Sequence, residues 1–163
     1  MLSQRNRMST ARNLMTELTR SFGHRIEVER TTYWAFPEPE ELAVCEEGDL
    51  AFIARNLRRG EFLIDVARSF ATLPPDFLET APYDEAEVWL RDIKGIGPWS
   101  SRFILLRGAG RYEKVPAEDR AILNAATRVY GQGRTVTPEE IVRWAAHYGK
   151  WQGYWAHYLR LAT

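Results

Sequence analysis

A glycine-rich turn between two predicted helices, "IKGIGPWSSRF" at residues 93–103, decides how this sequence folds. Gly95 and Gly97 permit backbone angles that other residues avoid, and Pro98 suits the first turn of the helix that follows. The stretch therefore predicts a helix–hairpin–helix, with one helix over residues 84–92 and the next beginning at the proline. A hairpin of this kind leaves backbone N–H groups unpaired. Such groups bind anions, and a DNA phosphate is the obvious candidate.

Polar side chains around the turn could supply further contacts to a phosphate. Ser100 and Ser101 carry hydroxyl donors, and Lys94 and Arg102 carry positive charge. The same Gly-x-Gly-Pro pattern also fits an ordinary turn between two helices that binds no ligand. The turn by itself leaves both interpretations open.

An acidic residue behind a proline suggests what chemistry the turn could serve. The segment "VPAEDRAIL", residues 115–123, places Asp119 in the first turn of a predicted helix. The helix dipole and the free N–H groups there stabilise the charge of a carboxylate. An ionised acid beside a sugar can stabilise positive charge at the anomeric carbon, or position a water that attacks it. A carboxylate at this place also serves as a plain helix cap, so Asp119 alone does not decide between the two roles.

Composition and charge limit the classes of function open to the chain. Of the 163 residues, 45% are hydrophobic, which is enough for a packed core in one domain or two small lobes. Lysine plus arginine and aspartate plus glutamate both number 22, so bulk charge does not hold the protein on DNA or on a membrane. The single cysteine, Cys45, excludes an internal disulfide and an iron–sulfur cluster ligated within the chain. No apolar run is long enough to span a bilayer.

Helical periodicity runs through the whole sequence. Leu14, Leu18 and Phe22 mark one face of the first helix. No segment alternates in the manner of a strand, and "ERTTYWAFPEPEEL", residues 29–42, is interpreted as an irregular link. The sequence therefore predicts an all-α fold of roughly eight to ten short helices. The inward face of the helix that follows the acid is predicted to hold Ile122, Ala126 and Val129.

Taken together, these motifs resemble the helix–hairpin–helix DNA glycosylase superfamily, and within it the bacterial DNA-3-methyladenine glycosylase II branch. The matching stretches follow the family order along essentially the whole chain: "LSQ", "YWAFPEPEELA", "LRDIKGIGPWSSRFILLRG", "VPAEDRAIL" and "KWQGYWAHYL". The resemblance implies the two-lobe, all-helical glycosylase core, as one domain over residues 1–163. It also implies an enzyme that flips a damaged nucleotide out of double-stranded DNA and hydrolyses its N-glycosidic bond.

The resemblance assigns roles to particular residues. Asp119 falls on the family's catalytic aspartate, and an aromatic position of the base pocket falls on Arg120. Trp99 and Phe103 are aromatic candidates for stacking the base. Trp99 also occupies the position at which strand-cleaving relatives carry a lysine, which implies hydrolysis without lyase activity. The hairpin, its flanking residues and the family's wedge position supply the implied DNA contacts: Lys94, Gly95, Ile96, Gly97, Ser100, Ser101 and Arg5.

The implied partners and cofactors are few. No organic cofactor is required. In relatives a monovalent cation lies under the hairpin, held by backbone carbonyls, and here those of Arg91, Ile93 and Ile96 would bind Na⁺ or K⁺. The partner is double-stranded DNA with a damaged base. The protein is expected to act as a monomer in the cytoplasm, at the nucleoid and away from membranes.

The predicted function is a monofunctional DNA glycosylase of base-excision repair that acts on a damaged, alkylated purine, and three alternatives stay open. Arg120 and Arg160 replace aromatic residues at pocket positions, and a positive side chain would repel a cationic alkylated base. An oxidised or deaminated base is therefore an alternative substrate. A non-catalytic DNA-binding module would use the hairpin alone. The third alternative is a truncated form, because a helical pattern begins almost at Met1 and the family's N-terminal β-rich domain is missing.

Overall fold

The chain forms two compact units that interleave along the sequence. The computed structural model describes residue 2 and residues 6–161. Unit 1 comprises the described residues up to Pro74 together with Ile93–Gly95. Unit 2 comprises Pro75–Asp92 and the described residues from Ile96 onward.

Unit 1 is built from four helices and a β-hairpin. Helix α1 buries Leu14 and Leu18 and ends at Gly23, as the periodicity predicts. A cluster of aliphatic side chains from all four helices and residue 2 forms the core, and Leu50 and Ile64 are among its fully buried members. The elements are α1 (Met8–Phe22), β1 (Arg25–Val28), β2 (Thr31–Trp34), α2 (Pro39–Ala43), α3 (Glu47–Ala54) and α4 (Leu57–Ala71).

The β-hairpin corrects the prediction that residues 29–42 form an irregular link and that no strand is present. Strands β1 and β2 pair antiparallel, with Arg25 opposite Trp34. Every residue of both strands is exposed, so the sequence shows no alternation between a buried and a solvated face. The turn residues Glu29 and Arg30 have φ values of 49° and 65°. Neither is the glycine or asparagine that usually marks such a turn.

All the regular elements of unit 2 are helices among its described residues. Its core contains Val115, Ile122 and Ile141, which pack with small alanine side chains and with the buried ring of Trp155. Thr137 caps α9 through a capping box, in which Glu140 takes part. The elements are α5 (Phe77–Thr80), α6 (Tyr83–Asp92), α7 (Pro98–Arg107), α8 (Arg120–Tyr130), α9 (Pro138–Ala145), a 3-10 helix (Ala146–Trp151) and α10 (Gln152–Leu161).

The inward face of α8 differs from the prediction at one position. Ile122 and Ala126 are buried as expected, but Val129 is 46% exposed. Helix α8 meets its neighbours through Ala125 and Ala126, whose small side chains allow close approach, and its last turn stays at the surface. The helical fold class is confirmed, with the single hairpin as the only sheet among the described residues.

Candidate active site at the start of helix α8

The turn between α6 and α7 has the predicted hairpin character, but its two glycines differ. Gly95 has a φ of 85°, a left-handed conformation that favours glycine. Gly97 is extended, with φ −93° and ψ −180°, and precedes Pro98 at the first position of α7. No atom lies within 4 Å of the place where a Cβ on Gly97 would stand. Gly97 therefore leaves its backbone open to approach, whereas Gly95 is required by the backbone angle itself.

The two serines after the hairpin do not share one environment. Ser101 is fully buried, and its hydroxyl donates a hydrogen bond of 3.0 Å to the carbonyl oxygen of Pro98. Its position one turn before the buried Leu105 places it on the core face of α7. The predicted contact of Ser101 with a phosphate is corrected accordingly. Ser100 is half-buried, and its contact with DNA stays a prediction.

The Asp119 carboxylate is the best-defined polar group of the candidate site. Asp119 is the N-cap of α8 and is only 7% exposed. Its Oδ1 accepts the backbone N–H groups of Ala121 at 2.8 Å and Ile122 at 3.2 Å. Its Oδ2 accepts the indole N–H of Trp99 at 3.0 Å. Three N–H donors therefore bind one carboxylate at the N-terminus of a helix. The helix dipole also favours negative charge at this end.

An aromatic pair lies beside this carboxylate. The rings of Trp99 and Phe103 stack with centroids 5.1 Å apart and an angle of 17° between their planes. Trp99 stays 40% exposed although its N–H is bound, and Phe103 is half-buried. Arg120, the residue after the acid, is exposed at the first position of α8. The structure thus brings Trp99, Phe103, Asp119 and Arg120 together, and a base-stacking role for the two rings stays a prediction.

The charge of Arg102 is paired within the protein, in contrast to the phosphate contact that the sequence suggested. Its Nε donates to the buried carboxylate of Glu87 at 2.9 Å, and its Nη1 donates to both oxygens of Glu118 at 3.0 Å. Burial acts to lower the pKa of Arg102, but the hydrogen bond to Glu87 and the charge of Glu118 raise it above its ordinary value. Arg102 therefore links α7 to α6 and to the residue just before Asp119.

Sequence reasoning missed the part that Glu87 and Glu118 play. The arginine lies 15 residues from Glu87 and 16 from Glu118. No helical spacing rule pairs residues at such separations. The only local signal was that Glu118 directly precedes Asp119.

Other predicted contacts lie outside this cluster. Lys94 is exposed, and in unit 1 it lines a polar cavity of about 370 Å³. Arg5 lies outside the described residues. The monovalent cation at the carbonyls of Arg91, Ile93 and Ile96 stays a prediction. Among the described side chains, no group of three or more histidine, cysteine or acidic residues could hold a metal ion. None of the described helices is long and apolar enough to cross a membrane.

Known proteins are similar in sequence to most of this chain. A DNA-3-methyladenine glycosylase of Bacillus subtilis (strain 168) is 29% identical over 160 residues, which cover 97% of this chain and 53% of that protein. DNA-3-methyladenine glycosylase 2 of Escherichia coli (strain K12) is 28% identical over 155 residues, with 94% and 51% covered. The chain thus spans about half the length of the curated relatives it matches.

A solved structure shows the same fold. The structure of MBOgg1 in complex with a low affinity DNA ligand superposes with a TM-score of 0.82 at 29% identity, and the match covers 98% of this chain and 55% of that one. The family model described as "HhH-GPD superfamily base excision DNA repair protein" matches residues 1–147. These matches confirm the predicted resemblance, and we conclude that the chain belongs to the HhH-GPD superfamily of base excision DNA repair proteins.

Proposed function

We propose that the chain is a monofunctional DNA glycosylase that hydrolyses the N-glycosidic bond of a damaged, alkylated purine in double-stranded DNA. The observation that carries the proposal is the Asp119 carboxylate, buried at the start of α8 and held by three N–H donors beside an exposed aromatic ring. The two DNA-3-methyladenine glycosylases that match nearly the whole chain support an alkylated base as the substrate. The chain acts as a monomer in the cytoplasm, where its DNA lies.

The chemistry follows from the charge of this carboxylate. When the bond from C1′ to the base nitrogen breaks, the base leaves with the electron pair and positive charge develops at C1′ and the ring oxygen. A purine that alkylation has made cationic leaves as a neutral molecule. The fixed negative charge of Asp119 stabilises the sugar cation at the moment it forms. Water then adds to C1′ and releases its proton through the carboxylate, which leaves an abasic site.

The residue at position 99 supports hydrolysis without cleavage of the DNA strand. A glycosylase that also cuts the strand forms a Schiff base, and this needs the primary amine of a lysine. Trp99 offers an indole, whose nitrogen donates a hydrogen bond to Asp119 and carries no free electron pair for attack. Water is therefore the nucleophile in the proposed reaction.

The test of this proposal is the substitution Asp119→Asn. Asparagine caps a helix as well as aspartate does, so the fold should survive the change. Release of methylated purines from methylated duplex DNA should fall on the order of 10³-fold or more, because the charge that stabilises the sugar cation is lost. DNA affinity should stay close to that of the wild type. Borohydride, which traps a Schiff base, should capture no covalent complex with the wild-type protein.

The matched control is Asp76→Asn, the same change at the exposed N-cap of α5. This variant should release bases at the wild-type rate. Wild-type activity in Asp119→Asn would refute the assignment of Asp119. A wild-type protein that binds the methylated duplex and releases no base would instead be a DNA-binding module.

A further inference from the structure

The hydrogen bond between the Trp99 indole and Asp119 indicates a role for the tryptophan other than base stacking. We propose that Trp99 is a positioning residue, whose N–H fixes the orientation in which the Asp119 carboxylate meets the reacting sugar. The inference rests on the proposed glycosylase function and deepens it. The hydrogen bond of 3.0 Å between Trp99 Nε1 and Asp119 Oδ2 is the contact that carries it.

The orientation of the carboxylate depends on this third donor. A carboxylate has about four acceptor sites, two on each oxygen. The backbone N–H groups of Ala121 and Ile122 both bind Oδ1. The two oxygens of an aspartate turn together about one broad terminal torsion, so a donor on Oδ2 adds a second point at which that torsion is restrained. The indole N–H occupies one site on Oδ2 and thereby directs the remaining site of that oxygen.

The donor itself is held in place by its own helix. Trp99 is the second residue of α7 and follows the rigid Pro98. Its ring stacks on Phe103, one turn further along the same helix, at 5.1 Å. An indole that is packed in this way presents its N–H in one direction, as a positioning group must.

The same face of α7 also binds the residue before Asp119. Arg102 lies three positions after Trp99, so the two side chains project from one side of the helix. Arg102 binds both oxygens of Glu118, and Trp99 binds Oδ2 of Asp119. Two neighbouring acids are thus bound by two neighbouring donors on α7. These two contacts fix the position of the start of α8 relative to α7.

The substitution Trp99→Phe separates positioning from stacking. Phenylalanine keeps a ring on which a base can stack but has no N–H. The single-turnover rate of purine release from methylated duplex DNA should fall about 10- to 100-fold, as expected for the loss of a hydrogen bond to a charged group. The Kd for that duplex should change by less than about threefold. The control is Trp34→Phe in β2, where the tryptophan is 42% exposed, and its rate should be unchanged.

Two kinetic outcomes would overturn the inference. An unchanged rate in Trp99→Phe would show that the N–H has no part in the reaction. A weaker Kd with an unchanged rate at saturating enzyme would show that Trp99 serves only as a surface for the base.

A spectroscopic arm tests the contact without relying on activity. The chain has six tryptophans, so the indole region of a ¹H–¹⁵N NMR spectrum holds six signals, and Trp99→Phe identifies the one in question. In Asp119→Ala that signal should shift and exchange faster with water, while the other five stay in place. Asp119→Asn keeps the helix cap and serves if the alanine variant does not fold. A signal that stays in place would overturn the inference even in an active enzyme. If the wild type released no methylated purine, the proposed function would fall, and this arm would still decide the contact.

Discussion

At the scale of single residues, the two buried carboxylates of unit 2 are held in different ways. Asp119 is bound by three neutral N–H donors. Glu87 is bound by two cations, Arg102 at 2.9 Å and Lys114 at 3.6 Å. The first arrangement suits a group whose charge acts on a substrate, and the second suits a group whose charge holds helices together.

This difference predicts a large cost for removing the cation that binds Glu87. Arg102→Met keeps the length of the side chain but leaves the Glu87 carboxylate buried beside Lys114 alone. The free energy of unfolding should fall by about 2–3 kcal/mol, because a buried charge loses its hydrogen-bonded partner. Urea denaturation followed by circular dichroism measures the change.

The control for this prediction is Arg143→Met. Arg143 is exposed and lies 3.6 Å from its partner Glu140, a pair that should contribute less than about 0.5 kcal/mol. Equal losses in the two variants would mean that the Arg102 pair is an ordinary surface ion pair.

At the scale of elements, helices α3 and α4 of unit 1 touch through a glycine. A Cβ added to Gly60 would stand 2.5 Å from the backbone nitrogen of Ala51 and 2.9 Å from its Cβ. Backbone atoms cannot yield as a flexible side chain does. The close packing of this helix pair therefore depends on the missing side chain at position 60.

Two glycine-to-alanine substitutions should therefore change stability in opposite directions. Gly60→Ala should lower the free energy of unfolding by about 1–3 kcal/mol, since overpacking outweighs the better helix propensity of alanine. In α3, no other group lies within 4 Å of the place that a Cβ on Gly48 would take. Gly48→Ala should therefore raise the free energy of unfolding by about 0.5–1 kcal/mol. Thermal and urea unfolding of both variants measure the signs. Stabilisation by Gly60→Ala would show that the two helices can move apart at little cost.

The elements that the sequence predicted well are those that local chemistry determines. Pro98 at the start of α7 and Asp119 at the cap of α8 both act on residues within a few positions. The β-hairpin was missed because it covers no core, and because its turn at Glu29 and Arg30 uses residues that seldom adopt positive φ.

The candidate site was predicted as a set of residues, whereas its geometry was not. Asp119 and Trp99 were both identified, but their hydrogen bond joins residues 20 positions apart through a loop whose path no periodicity describes. Ser101 and Arg102 were assigned to phosphate by residue type alone. The packing of α6, α7 and α8 within unit 2 determines which face of α7 Ser101 and Arg102 occupy. It also determines which acidic residue lies opposite Arg102.

At the scale of the whole molecule, equal numbers of acidic and basic residues mean that the proposed DNA binding rests on a few local contacts. Lys94 is an exposed cation directly before the hairpin glycines, where a phosphate contact is predicted. Each phosphate contact that a protein makes releases counterions and steepens the fall of affinity with salt.

The loss of one such contact should be visible in the salt dependence of binding. Lys94→Gln should make the slope of log K against log salt less negative by about 0.9, the value for one phosphate contact on B-DNA. Fluorescence anisotropy with an undamaged duplex, measured over a series of salt concentrations, gives the slope. Lys150→Gln is the control and should leave it unchanged. Equal slopes in Lys94→Gln and the wild type would remove Lys94 from the DNA contacts.

The bond between Trp99 and Asp119 also has a consequence for how such a site can be inherited or transplanted. The open hairpin glycine, the indole, the acid and the N–H groups that bind it all lie between Gly97 and Ile122. They therefore lie in one continuous segment of the sequence, and recombination with both crossovers outside that segment would move them together. Glu87, which anchors Arg102, lies before that segment. A chimaera that receives the segment would need a carboxylate at the corresponding place in its own preceding helix.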